Sequence, residues 1–393
     1  MLLLLCGLSS GQGTWTQKTS LPSAARITSV AFTIGNKGYF TTGQGVSTST
    51  DYYDDLWEYN PQADTWTQKA NFPGGGRGYG IGFAINGKGY FGCGRDVNNL
   101  WYNDFWEWDT LTNIWSPKAN VGGAARAAAT AFVLNGKGYV GTGESSSNYL
   151  NDIWEYNPTN DSWTQKNLFA GSARQDVDRA VFTVGNKAYL GLGIGIGNYA
   201  DFWEYDPNLD FWTQKANFPG GPVFGATGFS INAIGFIGLG TNFGDSTLWE
   251  YNTSTNNWSG TIQFPGGPRC DLPSFVINGK AYIGTGWNTQ VYYNDLWEYN
   301  PYASGINEIY NNNSITIFPN PFSTQTTLQT TTSCKNTTLT VYNSLGQQVK
   351  QLTNITGKSI TLHRDNLPSG LYFIRLTQEN KTLATDKLII TDN

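Results

Sequence analysis

The sequence predicts an all-β protein made of six repeated four-stranded sheets, followed by a small β-sandwich. Three observations lead there. The first is a repeat: Asn294-Asp295-Leu296-Trp297-Glu298-Tyr299-Asn300-Pro301 has close copies throughout the chain. Its Trp-Glu-aromatic core recurs at Trp57, Trp106, Trp154, Trp203, Trp249 and Trp297, at steps of 49, 48, 49, 46 and 48 residues. A fixed period of that size means one supersecondary unit used repeatedly, each copy burying the face its neighbour leaves open. The second is composition: 15% of residues are aromatic and 47 are glycine, which suits strands joined by tight turns. The third is where the period stops, just after Asn300-Pro301, beyond which short Thr-rich strands follow a different pattern.

Each unit opens with an alternating run such as Val30-Ala31-Phe32-Thr33-Ile34 or Ala131-Phe132-Val133-Leu134, ending in a Gly/Asn/Lys turn that marks a hairpin. The second strand carries internal glycines, as in Gly89-Tyr90-Phe91-Gly92-Cys93-Gly94. Such glycines signal close backbone approach near a crowded axis. The Trp-Glu-Tyr segment is the third strand, with Trp and Tyr on one face and Glu on the other. After an Asn-Pro or Asp-Pro turn comes the fourth, typified by Thr65-Trp66-Thr67-Gln68-Lys69.

Four antiparallel strands per unit describe a blade of a β-propeller. The closing tryptophans are Trp15, Trp66, Trp115, Trp163, Trp212 and Trp258. Trp297 has none after it, and Trp15 has no blade before it. Thr14-Trp15-Thr16-Gln17-Lys18 is therefore expected to supply the last strand of the last blade, closing a six-bladed ring without a covalent link and removing exposed edges.

These residues resemble the kelch repeat: Asn-Asp-x-Trp, Tyr-[Asn/Asp]-Pro and a closing Trp after a Gly-bearing strand, over residues 13–302. The family's adjacent glycines are replaced here by alternating ones, such as Gly92 and Gly94. The resemblance implies a binding propeller more often than an enzyme. Residues 303–314, with Asn311-Asn312-Asn313, read as a linker. Residues 315–393 have the alternation and Gly/Pro/Asn punctuation of a small immunoglobulin-like sandwich. They resemble the C-terminal sorting domain of the Bacteroidetes type IX secretion system through Pro319-Asn320-Pro321, Tyr342-Asn343-Ser344-Leu345-Gly346-Gln347 and Gly370-Leu371-Tyr372-Phe373. That resemblance implies passage through the outer membrane, with the secretion machinery as a partner and a secreted or surface location.

Residues 1–12 read as an export-signal remnant: Leu2-Leu3-Leu4-Leu5-Cys6-Gly7-Leu8 is too short to span a bilayer and small residues follow it. No membrane span is expected. Cys6, Cys93, Cys270 and Cys334 have no ligand-like spacing and read as isolated small buried residues. With 13% charged residues and a net charge of −5 there is no basic patch for nucleic acid.

Function is expected on one face. The loops between second and third strands vary from unit to unit, whereas the opposite face carries near-identical turns. The expected ligand is a glycan or a protein. Arg26, Arg77, Arg126 and Arg269 each stand six residues before a first-strand Phe and are candidates for holding a carboxylate or sulfate, with pairing to blade carboxylates as the structural reading. Asp176 and Val223 replace them in units four and five, with Arg174 and Arg179 nearby. Among loop aromatics, Trp101, Trp287 and Tyr292 are ligand candidates, the first two because they break the repeat, while Tyr four residues before the blade Trp suggests packing. Asp55, Asp104, Asp152, Asp201 and Asp295 are expected to serve turn hydrogen bonding rather than a metal, and the glutamates after the blade Trp to be solvated or to pair between blades.

No catalytic residue, metal ligand or cofactor is assigned. His363, the only histidine, lies in the tail, so a copper site resembling galactose oxidase and a His-dependent triad are both excluded from the propeller. A sialidase-like reading lacks that family's repeated Asp-box. The alternative to a binding module is a carbohydrate-active enzyme, such as a mutarotase resembling the kelch sialate epimerases. It would work with arginine and a carboxylate, for which Glu144, Asp96 and Asp178 are available.

Overall fold

The structure, a computed structural model, describes residues 13–45, 51–177, 179–241, 245–301, 315–343, 347–378 and 381–392. The expected export signal and linker, and with them Asp178, lie outside these residues. Two compact units divide the chain, Met1–Gly305 and Ile306–Asn393.

The first unit contains six four-stranded antiparallel sheets. Blade 2 shows the pattern: Ile81–Ile85, Lys88–Gly92, Phe105–Asp109 and Ile114–Lys118, each paired with the next. The inner hairpin turns on Asn86-Gly87, with φ of 51° and 79°; both residues are left-handed, as the twist-matched two-residue turn requires. Blade 6 has three strands of its own, Ser274–Ile277, Lys280–Gly284 and Leu296–Asn300, and its fourth is Thr14–Lys18, in register Trp15 to Tyr299. The ring is closed by the N-terminal strand.

Neighbouring blades interlock through aromatic rings. In four blades the second residue of the second strand is a glycine whose Cβ space the first-strand Phe of the preceding blade occupies, while blades 4 and 6 carry Ala188 and Ala281 there. Phe32 stands over Gly89, Phe83 over Gly138, Phe182 over Gly235 and Phe275 over Gly38. The closing tryptophan is a second lock. Trp115 donates its indole N–H to the Ala70 carbonyl at 2.9 Å, and Trp66, Trp163 and Trp258 repeat this contact to Thr19, Ala119 and Ala216 at 2.8 Å.

The third-strand glutamates are neither free in solvent nor paired between blades. Glu107 takes Lys88 Nζ at 2.5 Å and the Tyr90 hydroxyl at 2.7 Å, both from the adjoining strand of its own blade. Glu155 and Glu298 repeat this with Lys137 and Tyr139, and with Lys280 and Tyr282. A strand pairing that sets Tyr directly opposite Glu brings the two side chains onto one face.

In the second unit, Ile315–Phe318 and Gly370–Gln378 pair with opposite halves of the long bulged strand Gln325–Asn343. Gln348–His363 runs along that strand's other edge, and Lys381–Ile390 pairs with Gly370–Gln378. The two layers expected of a sandwich thus come from one sheet curled on itself. Leu328 and Leu362 from one half share a core with Leu339, Ile374 and Leu388 from the other.

The closing strand carries a testable load. Trp15 packs edge-on against Phe264 and tilted against Tyr299 at centroid distances of 5.1 and 4.9 Å. Trp15→Ala is expected to cost ~3 kcal/mol, a typical large-to-small loss in a packed core. Urea denaturation of the full chain measures it, and a loss close to that of Trp66→Ala in blade 1 shows that the borrowed strand carries as much as a covalently continuous one.

Candidate functional site

The face carrying the variable loops is built on a repeated junction. Arg77 donates from Nη1 to the Cys93 carbonyl at 3.2 Å and to Asp104 Oδ1 at 2.6 Å. Its backbone carbonyl accepts the Gly43 N–H of the preceding blade at 2.9 Å. The Tyr102 ring lies 4.0 Å from the guanidinium. Arg26, Arg126, Arg174 and Arg269 do the same with Asp55, Asp152, Asp201 and Asp295. The interblade bond runs all the way round: Gly43 to Arg77, Gly94 to Arg126, Gly143 to Arg174, Gly193 to Val223, Gly240 to Arg269 and Gly286 to Arg26. Each glycine donor has φ between 85° and 112°, where a side chain would be strained.

Arg26, Arg77, Arg126 and Arg269 are thus not brought together on a ligand. Each is 0–1% exposed and engaged within its own blade. Arg174, two residues early because blade 4 carries an insertion, is the fifth of the set. The aspartates hold these ion pairs instead of turn bonds, and their second oxygen accepts the blade Trp indole, as Asp152 does from Trp154 at 2.7 Å. Burial alone would raise the Asp152 carboxyl, but the hydrogen bonds and charge of Arg126, with Trp154, hold it below its usual range. Asp55 behaves alike with Arg26 and Trp57. Blade 5 replaces both partners at once, Val223 for the arginine and Thr247 for the aspartate. A pair that disappears as a unit is a structural element.

Inside this frame lies a second ring. Thr28, Tyr79, Ala128, Asp176, Gly225 and Asp271 precede the six first strands, with φ of 57°, 58°, 50°, 57°, 63° and 59°. Backbone bonds link several of them across blades: Ala128 to Tyr79, Asp176 to Ala128 and Asp271 to Gly225. A left-handed non-glycine residue costs about 1 kcal/mol or more, and Gly225 shows that the fold accepts glycine there. The side chains of Tyr79, Asp176 and Asp271 are retained despite that cost.

They gather at the axis with two arginines outside the repeat. Arg179 Nη1 lies 3.3 Å from Asp271 Oδ1, looser than the 2.5–2.7 Å of the blade pairs. The Arg95 guanidinium sits 4.7 Å from the Tyr79 ring, and its Nη1 lies 3.3 Å from Glu144 Oε1. Burial, then Asp271 and Asp176, push the Tyr79 hydroxyl up, against the pull of Arg95 and Arg179. Burial also raises the Glu144 carboxyl above its usual range, against the pull of Arg95 and the Trp101 indole. Below the ring, between first strands, is a cavity of about 170 Å³ in which Arg179 is the charged lining residue among Ser29, Ile81, Gly228, Ser274 and their neighbours.

The loop aromatics stand around this cluster. Trp101 pairs by an isolated backbone bridge with Arg95 across their loop, and Trp287 does so with Cys270 and Tyr292. The Trp287 and Tyr292 rings stack at 5.9 Å, tilted by 33°. Tyr52 of blade 1 hydrogen-bonds Arg95 of blade 2. Tyr53, Tyr102, Tyr199 and Tyr293 instead cover the blade arginines at 3.5–4.1 Å. Asp96 is taken up by its own loop, accepting the Asn98 and Leu100 N–H groups and the Tyr102 hydroxyl. Sequence reasoning missed Tyr79, Arg95 and Asp271. Their signal was departure from the repeat at the position just before a first strand or just after a second. Among the described residues no group of His, Cys, Asp and Glu is arranged to hold a metal, and Cys93, Cys270 and Cys334 are free and buried.

Comparisons with known proteins address the two units separately. Residues 316–391 match the family described as the secretion system C-terminal sorting domain. The protein is therefore directed to type IX secretion, with a secreted or outer-membrane surface location, and its C-terminal unit engages the secretion machinery. No helix among the described residues is long and apolar enough to cross a membrane. No curated protein matches the chain. Among solved structures, the structure of YjhT is similar, with a TM-score of 0.60 and 18% identity, covering 71% of this chain and 95% of that one. At that identity the likeness concerns the fold alone.

Two outcomes follow from the blade junction. Arg126→Val alone strands the Asp152 carboxylate and is expected to cost ~3–5 kcal/mol. The double change with Asp152→Thr, copied from blade 5, should recover most of it in a denaturant titration. Stability should also fall with acid. The Asp55 and Asp152 carboxyls are lowered in the folded state, so their contribution is complete above the unfolded value near pH 4 and is lost as pH drops through the folded values. Thermal melts between roughly pH 5 and 2 read this directly, and the double variant should show a shallower decline.

Proposed function

We propose that the propeller is an exported binding module of the kelch type whose ligand, a glycan, sits on the variable-loop face over the axial cluster. The observation that carries this reading is the grouping, around the axis, of side chains that differ in type from blade to blade. Trp101, Trp287, Tyr292, Tyr52 and Tyr79 offer aromatic faces, and Arg95, Arg179, Asp176, Asp271 and Glu144 offer hydrogen-bonding groups between them. Few convergent polar groups among aromatic walls are what a small-molecule site requires. Aromatic faces suit the C–H faces of sugar rings and lose little entropy on binding. A protein partner is the other occupant of the same face.

A second reading rests on Glu144. A carboxyl raised above its usual range by burial and facing Arg95 is suited to passing a proton, which a mutarotase-type reaction on a sugar needs.

A glycan-array screen of the full chain tests the binding reading. Trp101→Ala and Trp287→Ala should each weaken binding at least tenfold with melting temperature held within a few degrees. Equal binding by both variants would remove the glycan site from this face, and array silence with capture of a surface protein would assign the face to a protein. For the second reading, anomer exchange followed by NMR should be accelerated by the wild type and not by Glu144→Gln.

A further inference from the structure

The C-terminal unit engages the secretion machinery, and one of its sheet faces exposes an apolar patch. We propose that this face, on the hairpin Gly370–Gln378 and Lys381–Ile390, is where the machinery docks, through a protein surface with an apolar centre flanked by carboxylates. The inference concerns the tail alone and is independent of the glycan reading.

Alternation along the hairpin sorts its side chains onto two faces. Tyr372, Ile374, Leu376, Leu388 and Ile390 point into the core and are at most 5% exposed. Leu371, Phe373 and Ile389 point outward and are 38–43% exposed. Register brings the outward set together. Leu371 stands opposite Ile389, and Phe373 lies between Tyr342 on one neighbouring strand and Lys387 on the other. Two aliphatic and two aromatic side chains therefore form one patch on a pleated surface. The solvent face of an antiparallel sheet ordinarily carries polar residues, and an apolar patch rimmed by charge marks an interaction surface.

The rim is basic. Lys387 is exposed beside Phe373, and the Arg375 guanidinium lies 5.4 Å from the Tyr342 ring. Asp386 belongs to the other face, opposite Ile374. Residues 315–393 carry seven Lys and Arg against four Asp and Glu, a net charge of +3 in a chain whose total is −5. Charge complementarity thus selects an acidic partner and fixes its register on the patch. The strand edge beside the patch is already occupied. Asn320 accepts the Ile389 N–H at 2.8 Å and donates to the Lys387 carbonyl at 2.9 Å, and Phe322 donates its N–H to the Ile389 carbonyl at 3.0 Å. A partner at this end meets the face and does not add as a further strand. The same bonds hold Lys387 and Ile389 in place, which gives the Pro319-Asn320-Pro321 segment a part in presenting the patch.

The test is made with the full chain in a host that secretes by the type IX route. Leu371→Ser, Phe373→Ser and Lys387→Glu are scored for arrival at the cell surface by protease access to intact cells, and the purified chains are melted in parallel. The proposal expects at least tenfold less surface protein for each variant with the melting profile unchanged. Phe318→Ser, which removes an exposed aromatic from the other half of the sheet, should export normally. Benzoylphenylalanine in place of Phe373 identifies the occupant. Irradiated cells should yield an adduct with a secretion-machinery protein, identified by mass spectrometry and weakened by Lys387→Glu. Export within twofold of wild type in the three variants, or equal loss in Phe318→Ser, overturns the proposal. So do adducts confined to lipid, to a second copy of the chain or to its own propeller.

Discussion

The propeller depends on one repeated contact, the hydrogen bond from the glycine after each second strand to the backbone carbonyl at the next blade's arginine position. It is present at all six junctions, including that between blade 6 and blade 1. The guanidinium of the same residue ties the ends of its own second and third strands together through a carbonyl and an aspartate. Interblade and intrablade order are therefore set by one residue. The arginine is dehydrated and an isolated buried charge would be costly, a cost that the carbonyl and carboxylate it bonds and, at Arg26, Arg77, Arg174 and Arg269, a tyrosine ring beside it offset.

Because that frame is the same in five blades, the sixth acts as a natural control. Blade 5 has Val223 and Thr247 for the ion pair, Ile234 for the ladder lysine and Phe236 for its tyrosine. Glu250 remains, and burial raises its carboxyl above the usual range. The blade keeps its shape with the Arg–Asp pair exchanged as a unit, while Glu250 keeps its place without the lysine and tyrosine that its counterparts have. A repeat architecture tolerates such local variation since each blade answers only to its neighbours.

Most of the fold was legible in the sequence. The blade count and the borrowed strand followed from counting Trp-Glu-Tyr segments against closing tryptophans, because a ring must pair every edge. The site was less so. Arg26, Arg77, Arg126 and Arg269 drew attention by recurring, yet recurrence within a repeat marks scaffold; the ligand candidates lie where the repeat fails. Tyr79 and Asp271 sit at positions held elsewhere by Thr28, Ala128 and Gly225, an equivalence that no motif announces and that becomes visible through the shared left-handed backbone. Glu107 and its counterparts paired within the blade because strand register placed Lys and Tyr beside them, a tertiary fact that spacing along one strand does not carry. Trp101, chosen for breaking the pattern, holds the loop position of Tyr52, Tyr149 and Tyr292 in other blades and bonds Glu144 from there.

The account's central claim is that repeated arginines build the ring and unrepeated residues bind. A paired scan tests it most directly: Arg77, Arg126 and Arg269 in one set, Tyr79, Arg95 and Arg179 in the other, each truncated and read for both unfolding free energy and glycan affinity. The two sets should separate, the first losing stability with affinity kept in the folded fraction, the second losing affinity in the folded fraction itself. Lost affinity at unchanged stability in the first set would contradict it.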